Sequence, residues 1–151
     1  MLVAIGSDHR GYQLKAHLID LLKRLEHTPH DCGTHDTTAI DYPDIAIAVA
    51  QQVTSGAVDR GILICGTGIG MCITANKLNG IRAATCYDEL AACTARQHND
   101  LNILCLSADM LGAQSVERIV ETFLSTPFDG GRHARRLEKI SQLEQSRIVS
   151  G

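Results

Sequence analysis

The densest group of residues able to do chemistry lies at 61–71, Gly-Ile-Leu-Ile-Cys-Gly-Thr-Gly-Ile-Gly-Met. An apolar run of strand type ends at Cys65, breaks into alternating glycines, and resumes at Met71 in a segment that suits a helix. Strand, glycine loop and helix in that order aim backbone N–H groups at an anion. The glycines alone are a weak sign, because the same spacing serves any tight turn from strand to helix. Cys65 at the lip of the loop and Thr67 two residues on say more. A thiolate held there serves as a base or a nucleophile.

Other ionisable residues fall at loop-type positions: Asp8, His9, His98, Arg132, His133 and Arg136, with Thr67, Asn76 and Asn99 as donors. The amides of Gly66, Gly68, Ile69 and Gly70 could stabilise a negative oxygen, and arginines clamp phosphate. Two chemistries fit. One is proton abstraction beside a carbonyl, with the enediolate held by the loop amides. The other is phosphoryl transfer through a cysteine, which usually needs an arginine inside the anion loop, and 65–71 contains none. A dinucleotide fingerprint fits less well, since the first strand runs into Gly6-Ser7-Asp8-His9-Arg10-Gly11. No Gly-Lys-Ser/Thr follows the glycines, which removes a Walker loop.

These residues need a scaffold, and the chain alternates strand and helix patterns throughout. Strands are expected at 2–5, 28–32, 59–65, 81–86 and 101–106. Leu14, Leu18, Leu21, Leu22 and Leu25 recur at helical spacing, with Ser7 or Asp8 as the cap. Pro43 suits the first turn of a helix over 45–53, with Tyr42 on the loop before it. The helix after the glycine loop is expected to end within 76–80, with Gly80 just past it. Further helices are expected at 88–97 and 113–124. A break at 126–131 precedes a C-terminal helix at about 131–147 and a frayed tail from Ser146. That last helix begins with Arg132, His133, Arg135 and Arg136, and cations at a helix N-terminus oppose its dipole and invite an anionic partner. The pattern predicts one domain over 1–151, a Rossmann-like three-layer α/β/α sandwich on a parallel sheet of about five strands. Its sites belong at the strand C-terminal ends: Asp8 and His9, the loop at 65–70, Asp88 and Asp109.

Bulk properties narrow the function. The net charge of -3 and an aromatic content of 3% speak against nucleic acid as a partner. No apolar run approaches the roughly 20 residues of a membrane span, and the first residues lack the basic flank of a signal peptide. The six cysteines form no Cys-x-x-Cys pair, so no metal-type spacing is present and the thiols read as reduced, as in the cytoplasm.

Taken in order, Gly6-Ser7-Asp8-His9-Arg10-Gly11, Asp41-Tyr42-Pro43, the run at 61–70, Ala75-Asn76-Lys77, Gly80-Ile81-Arg82-Ala83, Ala95-Arg96-Gln97-His98-Asn99-Asp100 and Gly130-Gly131-Arg132-His133 resemble ribose-5-phosphate isomerase type B over nearly the whole chain. That family includes the allose- and galactose-6-phosphate isomerases. The resemblance implies an aldose–ketose isomerase without metal or cofactor. Cys65 would be the base between C1 and C2, and Thr67 would assist proton movement at the oxygens. The loop Gly66, Gly68, Ile69 and Gly70 would hold the enediolate. His98 and Asp8 would open the furanose ring, Asn99 and Tyr42 would meet sugar hydroxyls, and His9, Arg132 and Arg136 would hold the phosphate. Asn76 counts among the substrate-binding residues.

The resemblance further implies a homodimer or homotetramer with the site between subunits, the His98-Asn99 segment and the C-terminal arginines lent across the interface, and the last helix packed on a partner. Many members carry arginine at the position of Asp109, where it adds to the phosphate pocket. An acid there is expected to repel phosphate or to pair with Arg132 or Arg136. Some members use a glutamate further along as the base, but 71–75 holds no carboxylate, which leaves Cys65. The galactose-6-phosphate enzymes divide the site between two different subunits, whereas this chain carries the full set. Alternative readings are an isomerase of allose 6-phosphate, galactose 6-phosphate or a tetrose phosphate, or a sugar-phosphate-binding homologue without catalysis.

Overall fold

In the computed structural model the alternating pattern becomes β1 (Leu2–Ser7), α1 (Tyr12–Arg24), β2 (Thr28–Asp31), α2 (Tyr42–Thr54), β3 (Arg60–Cys65), α3 (Ile69–Ala75), β4 (Ala83–Thr85), α4 (Glu89–Asn99), β5 (Ile103–Ser107), α5 (Ala113–Ser125) and α6 (Arg132–Val149). The structure describes residues 1–149, and side chains as far as Ser146. The five strands form one sheet in the order β2-β1-β3-β5-β4, every pair parallel. The expected α/β three-layer fold is therefore present.

The alternation of side chains along a strand decides the layers. Val3, Ile5, Ile62, Ile64, Leu104 and Leu106 face one side and meet Leu18 and Leu22 of α1 and Val116, Ile119 and Phe123 of α5. Ala4, Leu63, Cys65, Ile103 and Cys105 face the other and meet Ile45, Val49 and Ala50 of α2 and Met71 and Ala75 of α3. Both faces of β3 are thus covered, which is why its sequence is apolar almost throughout rather than alternating. Truncating a fully buried leucine such as Leu104 to alanine would cost about 2–5 kcal/mol.

The strand order places the site. The chain leaves β1 toward one edge to make β2 and later leaves β3 toward the other, so the segments after β1 and β3 diverge and open a crevice. Asp8 follows the end of β1, and its amide donates to the Ile64 carbonyl of β3 at 3.1 Å. The two chemistry-bearing loops are therefore neighbours.

Several local expectations are corrected. Neither Ser7 nor Asp8 caps α1; the N-cap is Gly11, without a side-chain bond. Ser7 is buried in β1, and the Asp8 carboxylate instead accepts from the amides of Arg10 and Gly11. Helix α2 begins at Tyr42, because Pro43 extends it N-terminally, so Tyr42 stands on a first turn and not on a loop. Helix α3 stops at Ala75, and Gly80 lies in a separate turn beyond it. Strand β4 is shorter than expected, because only Ala83–Thr85 pairs with β5. Helix α6 continues to Val149, past the fray expected at Ser146, while Ser150 and Gly151 lie outside the described residues. Asp88 is the N-cap of α4, its Oδ1 accepting from the Ala91 amide at 2.7 Å.

Candidate active site

At the crevice, Cys65 ends β3 almost fully buried, and its sulfur accepts a hydrogen bond from the Gly68 amide at 3.1 Å. The bond is local because Gly68 adopts φ +80°, a left-handed conformation that turns the loop back on Cys65. The Ile69 amide donates to Thr67 Oγ1 at 3.2 Å, which fixes the exposed hydroxyl at the rim.

The loop carbonyls are held away from the crevice. The Gly66 carbonyl accepts from Ser107 Oγ at 2.7 Å and from the Asp109 amide at 3.1 Å. The Thr67 carbonyl accepts from the Tyr87 hydroxyl, and the Gly68 carbonyl from Thr85 Oγ1, both at 3.1 Å. Pinning these oxygens fixes the peptide planes. The amides of Gly66, Thr67 and Gly70 meet no protein acceptor among the described residues, so they remain available to a developing negative charge.

The loop after β1 supplies Asp8, His9 and Arg10. His9 Nδ1 accepts from the Ile40 amide at 3.3 Å, which places the proton of the neutral ring on Nε2, free to donate to an anion. Tyr42 covers the loop from α2. A side chain on Gly70 would come within 2.6 Å of its ring, so the glycine lets the tyrosine close over the crevice.

The other expected site residues lie elsewhere. His98 and Asn99 end α4, which runs back from the strand ends toward the strand starts. There Arg82 Nε donates to the Asn99 carbonyl at 3.1 Å, and the Asn102 carbonyl accepts from the Gly61 amide at the start of β3 at 2.9 Å. Asp100, with φ +45°, stops the helix and pairs with both Arg82 and Arg96. A strand of this length spans roughly 17 Å. Within one chain, His98 and Asn99 therefore stand near the N-terminal ends of the strands, whereas Cys65 stands at the C-terminal end of β3.

The residues leading into α6 join them. The Asp129 amide donates to the Gln97 carbonyl at 3.0 Å, and the His133 ring stacks on the His98 ring at 4.1 Å with 8° between the planes. His133 is held below the usual histidine pKa, first by burial and then by His98, Arg132 and Arg136, with Asp129 opposing. Arg132 and Arg136 are exposed and have no carboxylate partner among the described residues. The ligating atoms of His98, Asp129 and His133 lie within 4.8 Å of one another. Nitrogen lone pairs lie in the ring plane, so two parallel stacked imidazoles cannot converge on one ion without turning.

The structure thus gathers Asp8, His9, Tyr42, Cys65, Thr67, Gly66, Gly68, Ile69 and Gly70 in one half and His98, Asn99, Arg132 and Arg136 in another. Asn76 belongs to neither. Its amide is engaged at both ends by β4, donating to the Ala83 carbonyl at 2.8 Å and accepting from the Ala83 amide at 2.9 Å. Sequence reasoning missed Ser107, Thr85 and Tyr87 as loop supports; the signal was a polar residue closing an apolar strand. It also did not name Arg10 as a partner of Asp109, whose carboxylate pairs with it at 2.5 Å.

Comparison with known proteins gives the family and the fold. Residues 3–140 match the family described as Ribose/Galactose Isomerase. Ribose-5-phosphate isomerase B of Escherichia coli strain K12 is 42% identical over 145 residues, 96% of this chain and 97% of the relative. The structure of Clostridium thermocellum ribose-5-phosphate isomerase B superposes with a TM-score of 0.96 at 48% identity, covering 97% of this chain and 99% of that one. A ribose-5-phosphate isomerase B from Mycoplasma genitalium, solved with bound ribulose-5-phosphate, gives a TM-score of 0.92 at 42% identity, covering 95% of this chain and 96% of that one. With the glycine loop, the thiol and the fold all in place, the chain belongs to the ribose/galactose isomerase family, enzymes of the aldose–ketose isomerase type.

Proposed function

We propose that the protein interconverts ribose 5-phosphate and ribulose 5-phosphate through an enediolate, with Cys65 as the base. The observation that carries this reading is the Cys65 sulfur, held by the Gly68 amide beside a loop whose carbonyls are pinned outward. In the open-chain aldose the thiolate takes the C2 proton, and the electron pair moves toward C1 and its oxygen. The free amides of the loop stabilise the negative oxygen, and Thr67 passes a proton between O1 and O2. The thiol then returns the proton to C1, giving the ketose. Before that, His98 and Asp8 open the furanose, one taking the proton of the anomeric hydroxyl and the other supplying the ring oxygen. His9, Arg132 and Arg136 hold the phosphate, and Tyr42 and Asn99 meet the hydroxyls.

The reading requires two copies of the chain. His98 and the α6 arginines stand an entire strand length from Cys65, so each site takes Cys65 from one copy and His98 from another. The exposed apolar side chains Ile69, Ile73, Leu90 and Leu143 support such an association. The cationic start of α6 gains a reason in this arrangement, because it would meet the substrate phosphate of the neighbouring copy. Among the described residues no helix is long and apolar enough to cross a membrane.

The test is an NMR time course with ribose 5-phosphate in deuterated water. Ketose formation with deuterium at the proton-transfer carbon is expected. Turnover of allose 6-phosphate or a tetrose phosphate in its place would keep the chemistry and move the substrate. Binding of sugar phosphates without turnover of any would overturn the isomerase reading.

A further inference from the structure

We infer that Arg10 is a phosphate-binding residue of the Cys65 half-site, aimed over the glycine loop by Asp109; the inference rests on the sugar-phosphate reading above. The Arg10 backbone is fixed first, its amide donating to Asp8 Oδ1 at 3.0 Å. The side chain then crosses the loop. A Cβ on Gly66 would fall 2.9 Å from Arg10 Nε and 2.9 Å from Asp109 Oδ2, so the glycine makes room for the pair. Asp109 is fixed as well, through its amide to the Gly66 carbonyl at 3.1 Å.

Among the described residues, one guanidinium nitrogen is engaged. Arg10 Nη2 donates to Asp109, and Nε and Nη1 have no protein acceptor among the described residues. A guanidinium carries five donors in a planar fork, so most of the fork is free for an anion while the Asp109 bond persists. The side chains are 57% and 40% exposed, as a residue at a site mouth must be. His9, the preceding residue, offers Nε2 toward the same mouth. The pair also explains how an acid is tolerated here: Arg10 neutralises Asp109, and without it the carboxylate would face the phosphate unpaired.

Arg10→Gln, Arg10→Lys and the double variant Arg10→Gln/Asp109→Asn test this. Two readouts are needed: KM and kcat with ribose 5-phosphate, and calorimetric binding of inorganic phosphate. Arg10→Gln is expected to raise KM and the phosphate dissociation constant together, by about tenfold to a hundredfold, for one lost charge-assisted contact. The kcat should stay within about twofold. Arg10→Lys should recover part of the loss, and the double variant should bind phosphate better than Arg10→Gln, because the unpaired carboxylate is gone. Unchanged KM and phosphate binding in Arg10→Gln would overturn the inference, as would a loss confined to kcat, which would mean that the pair only supports the loop. A wild-type protein that binds phosphate through Arg10 but turns over no sugar phosphate would sink the isomerase reading alone.

Discussion

The Gly68 amide donates to the Cys65 sulfur at 3.1 Å, across a turn that only the left-handed Gly68 closes. The bond keeps the sulfur beside the free amides of the loop, where the proposed enediolate mechanism needs a base. In the proposed mechanism, replacing Cys65 by alanine removes the base and little else. Its kcat should fall by at least about a hundredfold, since general base catalysis contributes about 10²–10⁴-fold. Stability should change by about 1 kcal/mol. A thermal melt beside a ribose 5-phosphate assay checks both, and a variant that keeps most of its activity would assign the base elsewhere.

Ser107 acts on the same loop from outside the crevice. It is fully buried, donates to the Gly66 carbonyl at 2.7 Å and accepts from the Met110 amide at 3.0 Å. Ser107→Ala leaves the Met110 amide unpaired and loosens the Gly66 peptide. We expect a loss of about 1–2 kcal/mol in chemical denaturation and a kcat reduced about tenfold through misaligned amides. Threonine, which retains the hydroxyl, should restore more activity than stability. Equal activity in the alanine and wild-type proteins would show that the loop holds its geometry without this bond.

The separation of Cys65 from His98 yields a mixing experiment. Cys65→Ala and His98→Ala are each expected to be inactive. A mixed dimer regenerates one intact site from the wild-type Cys65 of one copy and the wild-type His98 of the other. After subunit exchange at equal concentrations, about a quarter of the wild-type activity should return, from closed two-fold symmetry and random pairing. No recovery, with mixed dimers confirmed by native mass spectrometry, would place both residues in one chain's own site.

Cys72, on α3 beneath the loop, has its pKa lowered to about 6. The first cause is the hydrogen bond from Cys105, with Thr85 and Asn76 helping and burial opposing. Cys105 is pushed up well above the ordinary thiol value, and Cys86 to about 11. Only the thiolate reacts with alkylating agents. Iodoacetamide labelling followed by peptide mapping should therefore show Cys72 modified with a midpoint near pH 6 while Cys86 and Cys105 stay unlabelled. The folded pKa lies below the unfolded one, so this group's contribution to stability is full above about pH 9 and is lost as the pH falls through about 6. A labelling midpoint near 9 for Cys72 would contradict the assigned network.

What the sequence determined by itself is local or periodic. The five strands and the helices between them follow from runs of apolar residues, because burial on two faces demands them wherever the strand lies. The loop at 65–70 is legible too as a tight strand-to-helix turn, since glycines permit the left-handed conformation that such a turn needs. The tertiary structure decided which distant residues meet. Ser107 supports Gly66 because β5 lies beside β3, and Arg10 meets Asp109 because the segments after β1 and β5 flank the same loop. Asn76 is engaged by β4 and not by an open crevice for the same reason. His98 and Cys65 belong to one proposed site but stand at opposite ends of the strands within one chain, because a helix returns against its strand over its whole length. Strand order and helix direction set those distances, and neither is encoded in the spacing of residues along the chain.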